Sequence, residues 1–406
     1  MTGINAGDTG FILICAALVA LMTPGLAFFY GGLVRRKNFL AIMMQSFISM
    51  GVVTTIWVTV GYSLAFSGTG PLIGNLKWAF LRGVGAAPGP WAPTIPAAAH
   101  FVYMEMFAII TPALITGAFA DRVNFKSYLK FLVLWSLLVY VPLVHWIWGG
   151  GFLAAWGALD FAGGMVVHAS AGFAALASVW VVGSRKFGPG ERRLPHNIAF
   201  VALGTGLLWF GWFGFNGGSA LAANGAAAQA FVNTDIAGSI AMCTWLMISW
   251  KKDGKPSLVG AFTGAVAGLA CITPCAGYVP TWASFVIGMA AGALCYGATK
   301  FRERMNWDDA LDVWAAHGVG GVLGTILLGV FAYLSVNPAG ADGLIAGNAR
   351  FFGVQVGAVV IVVVYAFVMT LLILRALDRF QPVRVPDEVE LKGLDSELHG
   401  EEAYDL

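Results

Sequence analysis

Eleven apolar stretches, each able to cross a bilayer as a helix, follow one another along this chain and leave little else between them. A hydrocarbon layer of ~30 Å takes about 20 helical residues, and the backbone inside it must satisfy its own hydrogen bonds. The stretches run approximately from Phe11 to Leu33, Leu40 to Phe66, Ala97 to Ala120, Tyr128 to Trp148, Phe161 to Val182, Ile198 to Phe215, Ala226 to Trp250, Leu258 to Thr273, Trp282 to Thr299, Ala310 to Leu334 and Phe352 to Leu377. With 58% hydrophobic and 11% charged residues, against a charged share about twice as large in soluble globules, the expected architecture is an all-α polytopic membrane protein. An odd span count places the termini on opposite sides.

Charge orients the bundle. Arg35, Arg36 and Lys37; Arg122 and Lys126; Arg185, Lys186, Arg192 and Arg193; Lys251, Lys252 and Lys255; and Lys300, Arg302 and Arg304 fall in alternate loops, together with Arg375, Arg379, Arg384 and Lys392 near the end. The opposite loops hold only Lys77, Arg82 and Arg350. By the positive-inside rule the N-terminus is expected outside and the C-terminus in the cytoplasm. Met1 to Gly10 lacks a positive n-region and a cleavage pattern, so the N-terminus reads as mature or already trimmed. The net charge of +2 gives no reason to expect nucleic acid. The five cysteines, Cys15, Cys243, Cys271, Cys275 and Cys295, lie in or beside apolar stretches and suggest no disulfide framework.

Inside this apolar setting two histidines stand out. Asp160 precedes His168 in DFAGGMVVH, and Asp309 precedes His317 in DALDVWAAH, at the same eight-residue spacing. A lone intramembrane histidine can simply bond neighbouring helices; two at matched depth point to function. FFYGG closes the first span as GFNGGS closes the sixth, and five spans also separate the two Asp/His elements. That offset predicts two inverted five-helix repeats plus a C-terminal helix, with a shared site near the midplane. At ~1.5 Å per residue, His168 falls roughly 12 Å below the outer boundary and His317 about as far above the inner one. Across a ~30 Å core their heights then differ by about 6 Å. Paired neutral imidazoles can pass a proton, since each ring offers one donor and one acceptor nitrogen. Phe107, Trp148, Trp212 and Phe215 lie toward the outer ends of their spans, where ring faces can attract a cation and bulky rings can gate it. Interfacial belt residues are the plainer reading of such aromatics.

The strings PGLAFFYGGLVRRKN, ITGAFADR, GALDFAGGMVVH, GWFGFNGGS, KPSLVGAFTGAVAGL and DVWAAHGVGG resemble, in order, the ammonium transporter family of bacterial Amt and animal Rh proteins, closest to the bacterial branch. The resemblance implies a homotrimer with one narrow pore per subunit. It assigns Phe107, Trp148 and Ser219 to an outer ammonium site, Phe107 and Phe215 to a stacked gate, and His168 and His317 to the pore pair. Asp160 matches the family's buried, site-organising aspartate and Trp212 a pore-lining aromatic, while Asp309, the counterpart of Asp160 by spacing, is counted as supporting. Tyr103 stands where a phenylalanine often helps line the outer site. Met104 replaces a commonly polar residue. Glu105, about 200° around the helix from Phe107, is expected to face a neighbouring helix or subunit.

The resulting expectation is a non-enzymatic ammonium/ammonia transporter of a bacterial cytoplasmic membrane, without cofactor or metal, with methylammonium as a further candidate cargo. An ammonium sensor or transceptor with little transport is the alternative, and the lack of an appended domain after Leu406 is taken against a fused sensor. A transition-metal carrier would need more donors than His168, His317 and Asp312. Residues 1–383 are assigned to the membrane domain and 384–406 to a cytoplasmic regulatory tail. By composition that tail is a disordered end, but GLDSELHGEEAY resembles the family's C-terminal signature, which implies packing beneath the pore and coupling to a PII-type signal protein.

Overall fold

The computed structural model describes residues 3–191 and 194–404. Arg192 and Arg193, counted above among the inward charges, lie outside them, as do Met1, Thr2, Asp405 and Leu406.

Among the described residues, ten helices are long and apolar enough to cross a membrane: α1 (Ala6–Leu33), α2 (Arg36–Phe66), α3 (Ala97–Phe119), α4 (Phe125–Trp156), α5 (Gly164–Val182), α6 (Ile198–Gly218), α7 (Gly225–Asp253), α9 (Thr281–Arg304), α10 (Trp314–Phe331) and α11 (Ala349–Phe380). Helix α8 (Leu258–Ile272) is shorter. It ends because Pro274 follows, lacking the N–H that another turn requires, and the chain then runs through buried turns to Val279. Polar side chains start many of these helices: Asn5, Asn197, Asn224, Ser257 and Asn348 each accept the main-chain N–H three residues on. Among the described residues the fold departs from all-α in one small ribbon, in which Pro88–Gly89 pairs antiparallel with Ala92–Pro96.

Small residues set the packing. Gly204 of α6 lies against the Phe29 backbone of α1, and Gly211 against Met22; Gly288 and Gly292 of α9 lie against Ala237 and Ala241 of α7. A Cβ at any of these would push the helices apart. Large apolar side chains such as Ile14, Phe210, Phe285, Val360 and Leu372 are exposed on the outer faces of these helices, as an acyl-chain surround requires.

At the basic end of the bundle the tail is folded against the loops. Val123 bridges to Arg384, α12 (Asp387–Lys392) follows, and the Asp395 carboxylate accepts the N–H groups of Leu40 and Ala41 at 3.0 and 2.8 Å, capping the start of α2. Glu390 is fully buried, taking the Lys186 N–H at 2.6 Å and the Arg384 guanidinium at 2.7 Å. Burial alone would raise the Asp308 carboxyl, but the Arg185 guanidinium at 2.8 Å holds it well below the usual carboxylate range. The disorder that composition suggests for the tail is overruled because its carboxylates meet buried donors.

Candidate ion site and pore

Asp160 sits in the turn before α5 and organises it. One carboxylate oxygen accepts the N–H groups of Gly163 and Gly164 at 2.9 and 2.6 Å, and the other those of Met165 and Val166 at 2.8 and 3.1 Å. All four orphan donors of a helix start are thus satisfied by one side chain. Gly163 has φ 113°, a conformation open to glycine and strained for other residues. Asp309 does related work before α10, accepting the Trp314 N–H at 2.7 Å, while its second oxygen has no partner among the described residues.

Both helices begin with a wide turn. Residues Gly164–Ala169 and Trp314–Val319 are π-helical, and the His168 N–H reaches back five residues to Gly163 at 3.0 Å. Such turns carry one extra residue and often mark functional positions. Helices α5 and α10 then cross at glycine on glycine: a methyl on Gly172 would overlap the Gly318 backbone, and one on Gly321 would strike the Gly164 and Ala169 backbone and the His168 Cβ. This close crossing brings His168 Nδ1 within 3.2 Å of His317 Nδ1. The rings are nearly parallel, 5.2 Å apart at 21°. A hydrogen bond between two Nδ1 atoms needs one ring protonated there and the other bare, so the pair holds a single shared proton position. His168 Nε2 has no partner among the described residues.

Aromatic rings stack above the pair. Trp212 lies 5.3 Å from the His168 ring at 24° and is fixed by its N–H to Thr273 Oγ1 at 3.0 Å. Phe215 lies 5.9 Å from the same imidazole and stacks on Phe107 at 4.1 Å. Trp148 meets Phe107 edge-on at 5.9 Å, and its indole N–H donates to the Asp160 carbonyl at 2.8 Å. The Tyr103 hydroxyl donates to the Phe215 carbonyl at 2.8 Å and lies 3.2 Å from Ser219 Oγ, which itself bonds the Phe215 carbonyl at 2.9 Å. The hydroxyl that Tyr103 adds therefore ties α3 to α6. Glu105 is turned from this column, its carboxylate buried beside Thr54 of α2.

The assembly offers a small cation ring faces and a hydroxyl oxygen, then two stacked phenyls, then a histidine pair. The space between His168, His317 and their neighbours is about 10 Å³, near the least that holds one water. Met22, Leu26, Phe29, Ile110, Leu114, Val167, Leu208 and Val266 complete its lining. Sequence reasoning missed these eight because an apolar residue facing a pore has the same composition signal as one facing lipid.

A family model described as Ammonium Transporter Family matches residues 10–404. The ammonium transporter of Bacillus subtilis is 47% identical over 399 residues, covering 98% of each chain. Among solved structures, Candida albicans Mep2 superposes with a TM-score of 0.89 at 35% identity, over 95% of this chain and 87% of that one. A structure titled "Sensor Amt Protein" also gives 0.89, at 28% identity, over 97% and 98%.

Proposed function

Because the chain belongs to the ammonium transporter family, we propose that it takes up ammonium across the cytoplasmic membrane of a bacterium. The N-terminus is outside, α8 counts as an eleventh span, and two inverted five-helix repeats precede α11. Trp148, Phe107, Tyr103 and Ser219 recruit the ion through ring faces and a hydroxyl acceptor. The ion loses its proton near the stacked Phe107 and Phe215, and ammonia continues through the narrow apolar passage. The proton leaves by the histidine pair. The observation that carries this reading is the 3.2 Å contact between His168 Nδ1 and His317 Nδ1 directly below the Phe107 and Phe215 rings. Asp160 and Asp309 hold the reacting geometry without touching substrate, and Trp212 lines the passage beside His168.

The assembly is a homotrimer, residues 1–383 forming the transport domain of each subunit. Residues 384–406 form the segment that meets a PII-type signal protein, whose threefold symmetry would match three equal contacts. Current recorded from reconstituted protein during an ammonium pulse tests the proposal, since separated ammonia and proton routes move net charge. Absence of current with wild-type binding would favour the second reading, an ammonium sensor, which the likeness to "Sensor Amt Protein" keeps in view.

A further inference from the structure

Between the end of α4 and the wide turn of α5 the chain leaves helical winding over residues 157–163, so the N–H and C=O groups there must find partners elsewhere. In a membrane protein other segments of the chain have to supply them. Three separate elements do so here. The Asp160 carbonyl takes the Trp148 indole N–H from α4 at 2.8 Å, and the Phe161 N–H donates to the Pro274 carbonyl beyond α8 at 3.2 Å. Leu159 is clasped on both sides by one side chain of α11. Its N–H donates to Gln355 Oε1 at 2.9 Å, and its carbonyl accepts from Gln355 Nε2 at 2.8 Å.

A carboxamide carries, on one carbon, the acceptor and the donor that both main-chain groups of a single residue require. Gln355 is fully buried, where an amide is costly unless its polar atoms are used. A glycine on the second histidine helix makes room for it: a Cβ on Gly329 of α10 would lie 3.2 Å from the Gln355 Cβ and from the Phe352 backbone. The clasp ends one peptide before Asp160, whose carbonyl holds Trp148 and whose carboxylate holds four N–H groups of α5. A shift of Leu159 is therefore felt by the outer ring and the histidine helix together.

We propose that Gln355 is a positioning residue for the outer ammonium site, a role that rests on the assignment of that site to Trp148, Phe107, Tyr103 and Ser219. It touches no ion. From α11 it fixes where Leu159 stands, and thereby the place at which the Trp148 ring meets the cation, so that its loss acts on affinity before it acts on passage.

The test uses the full chain in detergent, with ammonium affinity read from the rise in melting temperature on adding ammonium chloride in place of sodium chloride, and the same variants reconstituted for current. Gln355→Met keeps the length of the side chain and removes both hydrogen bonds. It should weaken ammonium affinity about tenfold, the size expected of two buried hydrogen bonds near the lower end of their range, while saturating ammonium restores most of the current. Amide hydrogen exchange at residues 163–166 should quicken in the same variant. Thr370→Val is the control. It breaks another buried bond of α11, to the Trp135 indole at 2.9 Å, roughly 22 Å further along the helix, and should leave ammonium affinity unchanged. Should Gln355→Met not fold, Gln355→Asn retains the amide one carbon short of Leu159 and is expected to lose the same affinity. Wild-type affinity in a folded Gln355 variant, unchanged exchange at residues 163–166, or an equal loss in Thr370→Val would overturn the proposal. Affinity is read without transport, so a wild type that binds ammonium and carries no current would count against uptake alone.

Discussion

Trp148 and Asp160 are bound to one another by the main chain and not by the carboxylate: the indole N–H donates to the Asp160 carbonyl at 2.8 Å, while both carboxylate oxygens are committed to four N–H groups of the following turn. One residue thereby fixes the outer ring and the start of the histidine helix together. Asp160→Ala should leave those buried donors without an acceptor, each costing about 1–3 kcal/mol. The expected outcome is loss of ammonium current with a marked fall in thermal stability. Wild-type melting together with lost current would mean that Asp160 acts on the ion itself.

His168→Ala and His317→Ala remove one partner of the 3.2 Å pair from helices held elsewhere by small-residue contacts. Each variant should insert and melt normally, yet lose most ammonium current or its selectivity over potassium. Wild-type current and selectivity in both would end the relay proposal.

Gly172→Ala alters neither histidine, but its methyl overlaps the Gly318 backbone. Helices α5 and α10 should separate and the imidazoles lose contact, so this variant is expected to reproduce the histidine phenotype. Full activity with a structure showing the pair still in contact would show that the crossing can yield.

In the outer column, Trp148→Leu removes the ring best suited to a cation, while Phe215→Ala deletes half of a stack whose rings lie 4.1 Å apart. The first should weaken ammonium affinity about 2- to 30-fold, taking the loss as ~0.5–2 kcal/mol. The second should change conductance or selectivity with less effect on affinity. Concentration-dependent currents distinguish the two outcomes, and identical kinetics in both variants would count against separate recruiting and gating roles.

Truncation after Val383 removes the Asp395 cap on α2 and the buried Glu390 contacts. Insertion should survive, whereas transport and any block by a PII protein should both weaken. A truncated protein that is fully active and fully inhibited would show that these contacts serve neither.

Much of this arrangement was legible in the sequence, for identifiable reasons. An ionisable residue in an apolar span is conspicuous, so His168 and His317 could be singled out, and helical rise alone put them within about 6 Å in height. The direction of Glu105 followed from helical angle, and its carboxylate lies buried on the side of Thr54 in α2. The glycine crossing was less accessible, because Gly172 and Gly318 are two among 53 glycines with the same packing signal. Nor does any local residue type announce a π turn, which reflects a whole-helix compromise between an aspartate anchor and a fixed crossing point. The tail's composition, read without its partners, pointed toward disorder, since the main-chain donors that bond Asp395 and Glu390 lie more than 200 positions away in sequence.

The wide turns at Gly164–Ala169 and Trp314–Val319 also make chain length itself a determinant of the passage. Each stores one residue beyond ordinary helical winding, and losing it would swing everything downstream by roughly 100° about the helix axis. An imidazole now directed at its twin would then face a flank of the bundle, with its chemistry intact and its aim gone. Single-residue deletions in these two short stretches should accordingly be far less tolerated than longer ones in the connecting loops, where no angular phase has to be kept.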